Sequence, residues 1–149
     1  MAILKVNKGQ SVTAKEYLRT VLEANLEIRS KEDELETYRQ DCYSISAIDY
    51  SKDRVTGGIS TDISDKIAKL PKLIQDVDKQ WEELIQLRVE ANQLINNVEQ
   101  SNLRVLLIQR YVLGKPWHEV AEFMFISENH ARGYLNGQAI QKFGKVNTD

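Results

Sequence analysis

From Val21 onward, apolar residues return at seven-residue intervals: Val21, Ile28, Leu35 and Cys42. Ala24, Tyr38 and Ile45 form a second row three positions on, and Lys31 interrupts it. Such a stripe predicts a helix with a coiled-coil face. Its start is marked by Thr13 with Glu16 three residues later, the spacing of a capping box, with Val12 and Tyr17 placed as a hydrophobic staple. The expected helix covers 13–43. A second stripe runs through Ile67, Leu70, Ile74, Val77, Trp81, Leu84, Arg88, Ala91, Ile95 and Val98, in steps of three and four. It predicts a helix from about Ser64 to Glu99 with a repeat of about 3.5 residues. Pro71 is expected to kink that helix or mark its true start. Arg88 alone breaks the apolar series, and a lone polar residue on a seam sets register or partner choice.

Between the stripes, residues 46–62 hold Gly57 and Gly58 with several Ser, Thr and Asp, the composition of a loop. The glycine pair has no Lys-Ser/Thr after it and no apolar strand before it, so a hairpin connection is expected rather than a phosphate cradle. Two stripes joined by a loop fit an antiparallel hairpin, and the same stripes fit a dimer.

After Gln100 the heptad stops. Ser101 can cap a helix that carries Leu103, Leu106, Leu107 and Val112 and ends at about Leu113. Gly114 then stands where a positive φ is easy, and Pro116 at a first helical turn. A short helix from Trp117 to about Phe123 follows. Ser127, a good N-cap, opens the last helix. Short helix, tight turn and capped helix are the plan of a helix-turn-helix. The expected class is therefore all-α: a long antiparallel helical hairpin (coiled coil) over 1–100, then a three-helix helix-turn-helix unit over 101–149.

Composition narrows this picture. The chain has 149 residues, 42% of them hydrophobic and 28% charged, enough apolar material for a packed core. Seven Gly and two Pro are too few for a turn-rich β-sandwich. The single Cys excludes an intrachain disulfide framework. No apolar run is long enough to span a membrane, and the opening residues have too short an apolar core for a secretory signal. The net charge of −2 excludes a uniformly basic nucleic-acid coat protein, but the charge is unevenly distributed. Residues 13–42 carry 5 Lys/Arg against 8 Asp/Glu, residues 60–100 again 5 against 8, and residues 101–149 carry 6 against 4. Acidic helices followed by a mildly basic end suggest two jobs in one chain.

The stretch Leu106–Phe143 resembles region 4 of bacterial sigma factors. The residues that carry the likeness are Arg110, Tyr111, Gly114, Trp117, Glu119, Val120, Ala121, Ser127, Ala139 and Ile140. Together with Thr13–Leu18 and the Asp53–Ser60 loop, the chain resembles small phage and prophage proteins of Gram-positive bacteria, the ArpU-like late transcription regulators and their relatives. Phe125 replaces the glycine usual before the cap. Gly133 and Gly137 lie inside the last helix, each at a cost of about 1 kcal/mol relative to Ala.

The resemblance implies binding to double-stranded DNA by a homodimer in the cytoplasm of a bacterial host cell, activation of late genes, and RNA polymerase as a further partner. Asn129, Arg132 and Asn136 are expected on one outward face of the last helix, with Ala131, Tyr134 and Leu135 turned inward. Arg pairs bidentately with guanine and Asn with adenine. His130 is placed for a phosphate or base edge, Ser127 and the helix N-terminus for a phosphate, and Lys115 and Lys142 for phosphates on either flank. Glu128 would oppose DNA unless it accepts from cytosine or supports the helix dipole. Tyr111 and Trp117 are expected in the core and Arg110 bracing the turn.

Enzyme chemistry is not expected. His118 and His130 lack a Cys partner for zinc, Cys42 lies on the seam, and no base stands beside a nucleophile in a recognisable spacing. No cofactor or metal is expected. The rival readings are an interaction protein that binds a host or phage protein through its acidic coiled coil, and a DNA-packaging recognition subunit.

Overall fold

The capping box forms as spaced. Thr13 N donates to Glu16 Oε2 at 3.1 Å, and Glu16 N donates to Thr13 Oγ1 at 3.3 Å. The computed structural model describes residues 3–5, 11–51 and 61–148. It is all-α apart from one short antiparallel ribbon, β1 (Ile3–Lys5) with β2 (Ser11–Thr13), which pairs Ile3 with Thr13. The helices are α1 (Ala14–Ser51), α2 (Thr61–Ile95), α3 (Ser101–Leu107), α4 (Trp117–Met124), α5 (Glu128–His130) and α6 (Asn136–Val146). A π-helical turn, Ile108–Val112, extends α3, and a second, Ala131–Leu135, joins α5 to α6.

Helix boundaries differ from those expected where no breaker enforces them. The α1 helix continues eight residues past 43, to Ser51, because nothing before Gly57 stops it. Gly57 and Gly58 lie outside the described residues. The α2 helix starts at Thr61 and passes through Pro71, so the proline does not mark its start. It ends at Ile95 rather than Glu99. Asn97 N and Val98 N then bond back three residues, to Leu94 O and Ile95 O. Arg104 Nη1 closes this turn by donating at 2.6 Å to both Val98 O and Glu99 O.

The chain divides into two units, and not at residue 100. One comprises residues 1–26 with 83–149, the other residues 27–82. In the second unit, α1 and α2 pair antiparallel: Trp81 Nε1 donates to Glu32 Oε1 at 2.6 Å, and Tyr38 Oη to Lys66 O at 2.7 Å. Cys42 is buried there, as its place on the seam predicts.

The first unit holds the main core. Leu18, Val21, Ala91, Ile95, Leu106, Leu107, Val120, Ala139 and Phe143 are all fully buried in it. The start of α1 and the end of α2 therefore share one core with the C-terminal helices. Tyr17 lies stacked 6.0 Å from Phe143, and its hydroxyl donates to Glu90 Oε1 at 2.8 Å. Burial and the Glu90 carboxylate both raise the Tyr17 pKa.

At the start of α1 the second seam row is Leu18 and Asn25, both buried, rather than the half-buried Ala24; further along, Tyr38 faces α2 as expected. Among the described residues, Asn25 is the one buried polar residue. Its Nδ2 donates to Val21 O at 2.9 Å and to Tyr111 O at 3.1 Å. Its Oδ1 accepts a short hydrogen bond from Arg88 Nη2. The polar interruption of the α2 stripe thus answers a polar residue on α1, and together they hold the π turn of the helix-turn-helix unit.

Gly114 closes that turn at φ +69°, as its position predicts. A Cβ there would lie 3.0 Å from Asn25 Cβ, an atom fixed to the α1 backbone. Gly114→Ala combines left-handed strain of about 1–2 kcal/mol with this clash. A urea titration is expected to show a loss of about 2 kcal/mol or more. A loss under about 0.5 kcal/mol contradicts the packing described.

Candidate nucleic-acid interface

The helix-turn-helix begins at a short N-terminal turn. Pro116 O accepts from Glu119 N and Val120 N, both at 3.1 Å, so Pro116 is the N-cap rather than the first helical residue. Arg110 braces the preceding turn as expected. Its Nη1 donates to Lys115 O at 3.0 Å, and its guanidinium lies 4.7 Å from the Trp117 ring centroid. Burial lowers the Arg110 pKa, with Tyr111 acting in the opposite direction. Tyr111 is buried, and Trp117 packs against the core.

The α4 helix ends in a Schellman motif. Ile126 N donates to Ala121 O at 3.0 Å and Phe125 N to Glu122 O at 3.3 Å. Phe125 sits in the left-handed position of that motif, at φ +58°. Ser127 then caps the next helix, its Oγ accepting from His130 N at 3.1 Å. Turn and cap together set where the α5–α6 run leaves the unit.

The inward row of that run is Ala131, Leu135, Ala139 and Phe143, all buried. Its spacing is four throughout, wider than the 3.6 of an α-helix, because the π turn at Ala131–Leu135 underwinds the run. This corrects the expected faces. Tyr134 does not look inward and is 64% exposed. The row most nearly opposite the core is His130, Gly133, Tyr134, Gly137 and Gln141, all exposed. His130 and Tyr134 stack with ring centroids 5.7 Å apart, and Gln138 Nε2 donates to Tyr134 Oη at 2.7 Å. A π-wound row was visible in sequence only as the four-residue spacing of Ala131, Leu135, Ala139 and Phe143.

The remaining expected site residues are distributed as follows. Asn129 and Arg132 are exposed and paired, Arg132 Nη2 donating to Asn129 Oδ1 at 3.2 Å. Arg132 also lies 3.7 Å from Glu128, which answers the carboxylate expected to oppose DNA. Asn136 is half-buried and accepts from Tyr111 Oη at 2.8 Å, so it braces the first helix against the last. Lys115 and Lys142 are both half-buried. The Lys115 ammonium sits 5.6 Å from the Phe123 ring centroid. Ser127, Asn129, His130 and Arg132 therefore gather at the start of the run, whereas Asn136 is turned to the core side.

An added Cβ at Gly133 or Gly137 meets no atom within 4 Å, so neither glycine is needed for packing within the chain. Among the described residues no cluster of three or more His, Cys, Asp or Glu could hold a metal ion, and no helix is long and apolar enough to cross a membrane.

The chain belongs to the family described as Protein of unknown function (DUF1492), whose model matches residues 44–141, from the later part of α1 through most of α6. No curated protein and no solved structure matches it.

Proposed function

We propose that this member of the family is a non-enzymatic, DNA-binding transcriptional regulator that presents the α5–α6 run to the major groove. The observation that carries the reading is the Ser127-capped helix, set by the α4 turn, with Asn129, His130 and Arg132 exposed on its first turns. A helix N-terminus offers backbone N–H groups to a phosphate, and the side chains just beyond it reach base edges. Arg132 must exchange its Glu128 and Asn129 partners for guanine or phosphate. Tyr134 and Gln141 join the reading face, and Lys115 and Lys142 neutralise phosphates at its flanks. Asn136 acts as a brace.

A homodimer gripping two half-sites, activation of late genes and contact with RNA polymerase belong to this reading through the sigma-like resemblance. The stripe residues Val21, Leu84, Ala91 and Ile95 are buried within the chain, so a second copy has to meet other positions. A ring-shaped oligomer would favour the DNA-packaging alternative instead.

The test is a salt titration on duplexes recovered by in vitro selection from a random pool. Log affinity is expected to fall linearly with log salt. Arg132→Ala with Lys142→Ala should flatten the slope by about 1 for each phosphate no longer neutralised. Failure to select any duplex that binds at about 50 mM salt ends this reading.

A further inference from the structure

The geometry points to a second phosphate-binding arm on α1: Lys15 and Arg19 hold the backbone of the duplex whose major groove takes the α5–α6 run. This rests on the DNA reading and adds contacts from outside the helix-turn-helix unit. An open groove of about 520 Å³ lies between the first turns of α1 and the end of α6. Lys15, Glu16 and Arg19 line it from α1, and Ile140, Gln141 and Gly144 from α6. The Tyr17–Phe143 stack joins the same two helices. Residues four apart share a helix face, so Lys15 and Arg19 stand side by side along the groove. Gly144 has no side chain to fill it.

Charge and continuity select the occupant. Both cations are exposed, and neither enters an ion pair among the described residues. Glu16 is the one carboxylate among the described lining residues, and its Oε2 already accepts from Thr13 N at 3.1 Å. The groove is therefore net cationic and suits an anion. It also borders the outward row of the run, because Gln141 belongs to both. Along α6, residues 140 and 142 fall about 100° to either side of Gln141. The groove opens on the Ile140 side, and Lys142 stands on the other. A helix lying in a major groove has a phosphate strand on each flank. Lys142 serves one strand and the α1 pair the other. The run itself brings Arg132, Lys142 and Lys145, and Arg132 is shared with Glu128, so two further cations strengthen a thin positive field.

The experiment is the salt titration on selected duplexes with full-length protein carrying Lys15→Ala and Arg19→Ala. The log–log slope should flatten by about 2, about one for each phosphate released. The fold-loss of affinity should be similar for every selected sequence, since phosphate contacts carry no base information. The conservative Lys15→Arg, Arg19→Lys variant should keep the parent slope. Both side chains are exposed, so the alanine variant should melt as the parent does. Methylphosphonate substitution, which neutralises one phosphate at a time, then locates the contacts. Positions that cease to matter in the alanine variant should lie across the major groove from those that cease to matter in Lys142→Ala. A parent-like slope in the alanine variant overturns the inference and leaves the DNA reading standing, and so does a set of phosphates shared with Lys142. Failure to select any duplex overturns both.

Discussion

Replacing Asn25 by leucine is expected to lower the free energy of unfolding by about 3 kcal/mol. Leucine keeps the branched skeleton of asparagine and is the larger of the two, so the cost is not that of a cavity. It comes from polar groups left inside the core. Tyr111 O loses the Nδ2 donor that reaches it from α1, and the Arg88 guanidinium loses its Asn25 acceptor. A buried carbonyl stripped of its partner costs about 1–3 kcal/mol, and a partly buried cation costs more than a neutral group. Asn25 itself is completely buried, so solvent does not replace what it gave. Urea unfolding measures the change through its midpoint, provided the slope is unaltered. A second substitution, Arg88→Met, made in the Asn25→Leu background, should cost clearly less than it does alone, because the pair then fails together. Strict additivity of the two changes, or a single-variant loss below about 1 kcal/mol, contradicts the network.

The second large effect is at Phe143. This ring is fully buried near the end of α6 and stacks 6.0 Å from Tyr17 at the start of α1. Phe143→Ala removes a large apolar side chain from a core that can collapse only in part, which typically costs about 3–5 kcal/mol. Because Tyr17 and Phe143 tie the first turns of α1 to the last helix, the loss should appear at both ends of the chain. Hydrogen exchange is expected to rise in the first turns of α1 and in α6 together. Faster exchange in α6 alone, with α1 unchanged, would mean that the C-terminal helix unit is stabilised independently of α1.

These two positions also mark where sequence reading stopped. The α1 start, the Ser127 cap and the Gly114 turn were legible because each depends on groups a few residues apart. Thr13 and Glu16, or Ser127 and His130, are already neighbours once a helix turns. The heptad stripe was legible for the same reason, and Leu84, Ala91 and Ile95 are buried as it predicts. A hydropathy pattern places polar residues outside, so it assigns the second row of α1 to Ala24 rather than to Asn25. Only a partner 86 residues away, Tyr111 O, makes the burial of Asn25 favourable. An ideal 3.6-residue winding puts Tyr134 on the inward face of the last helix, and the π turn changes that winding.

Sequence alone therefore determined the helical class, the Thr13 and Ser127 caps, the turn glycine and most of the seam, since all of these follow from local hydrogen bonding and short-range periodicity. Ser101, expected as a cap, is instead the first residue of α3, after Gln100. Tertiary structure decided that the ends of the long helices share a core with the C-terminal unit. It also decided that Asn25 and Arg88 belong inside that unit, and which side of the last helix faces outward. Those outcomes depend on which distant groups meet and on how they satisfy one another once water is excluded, and no local pattern encodes that.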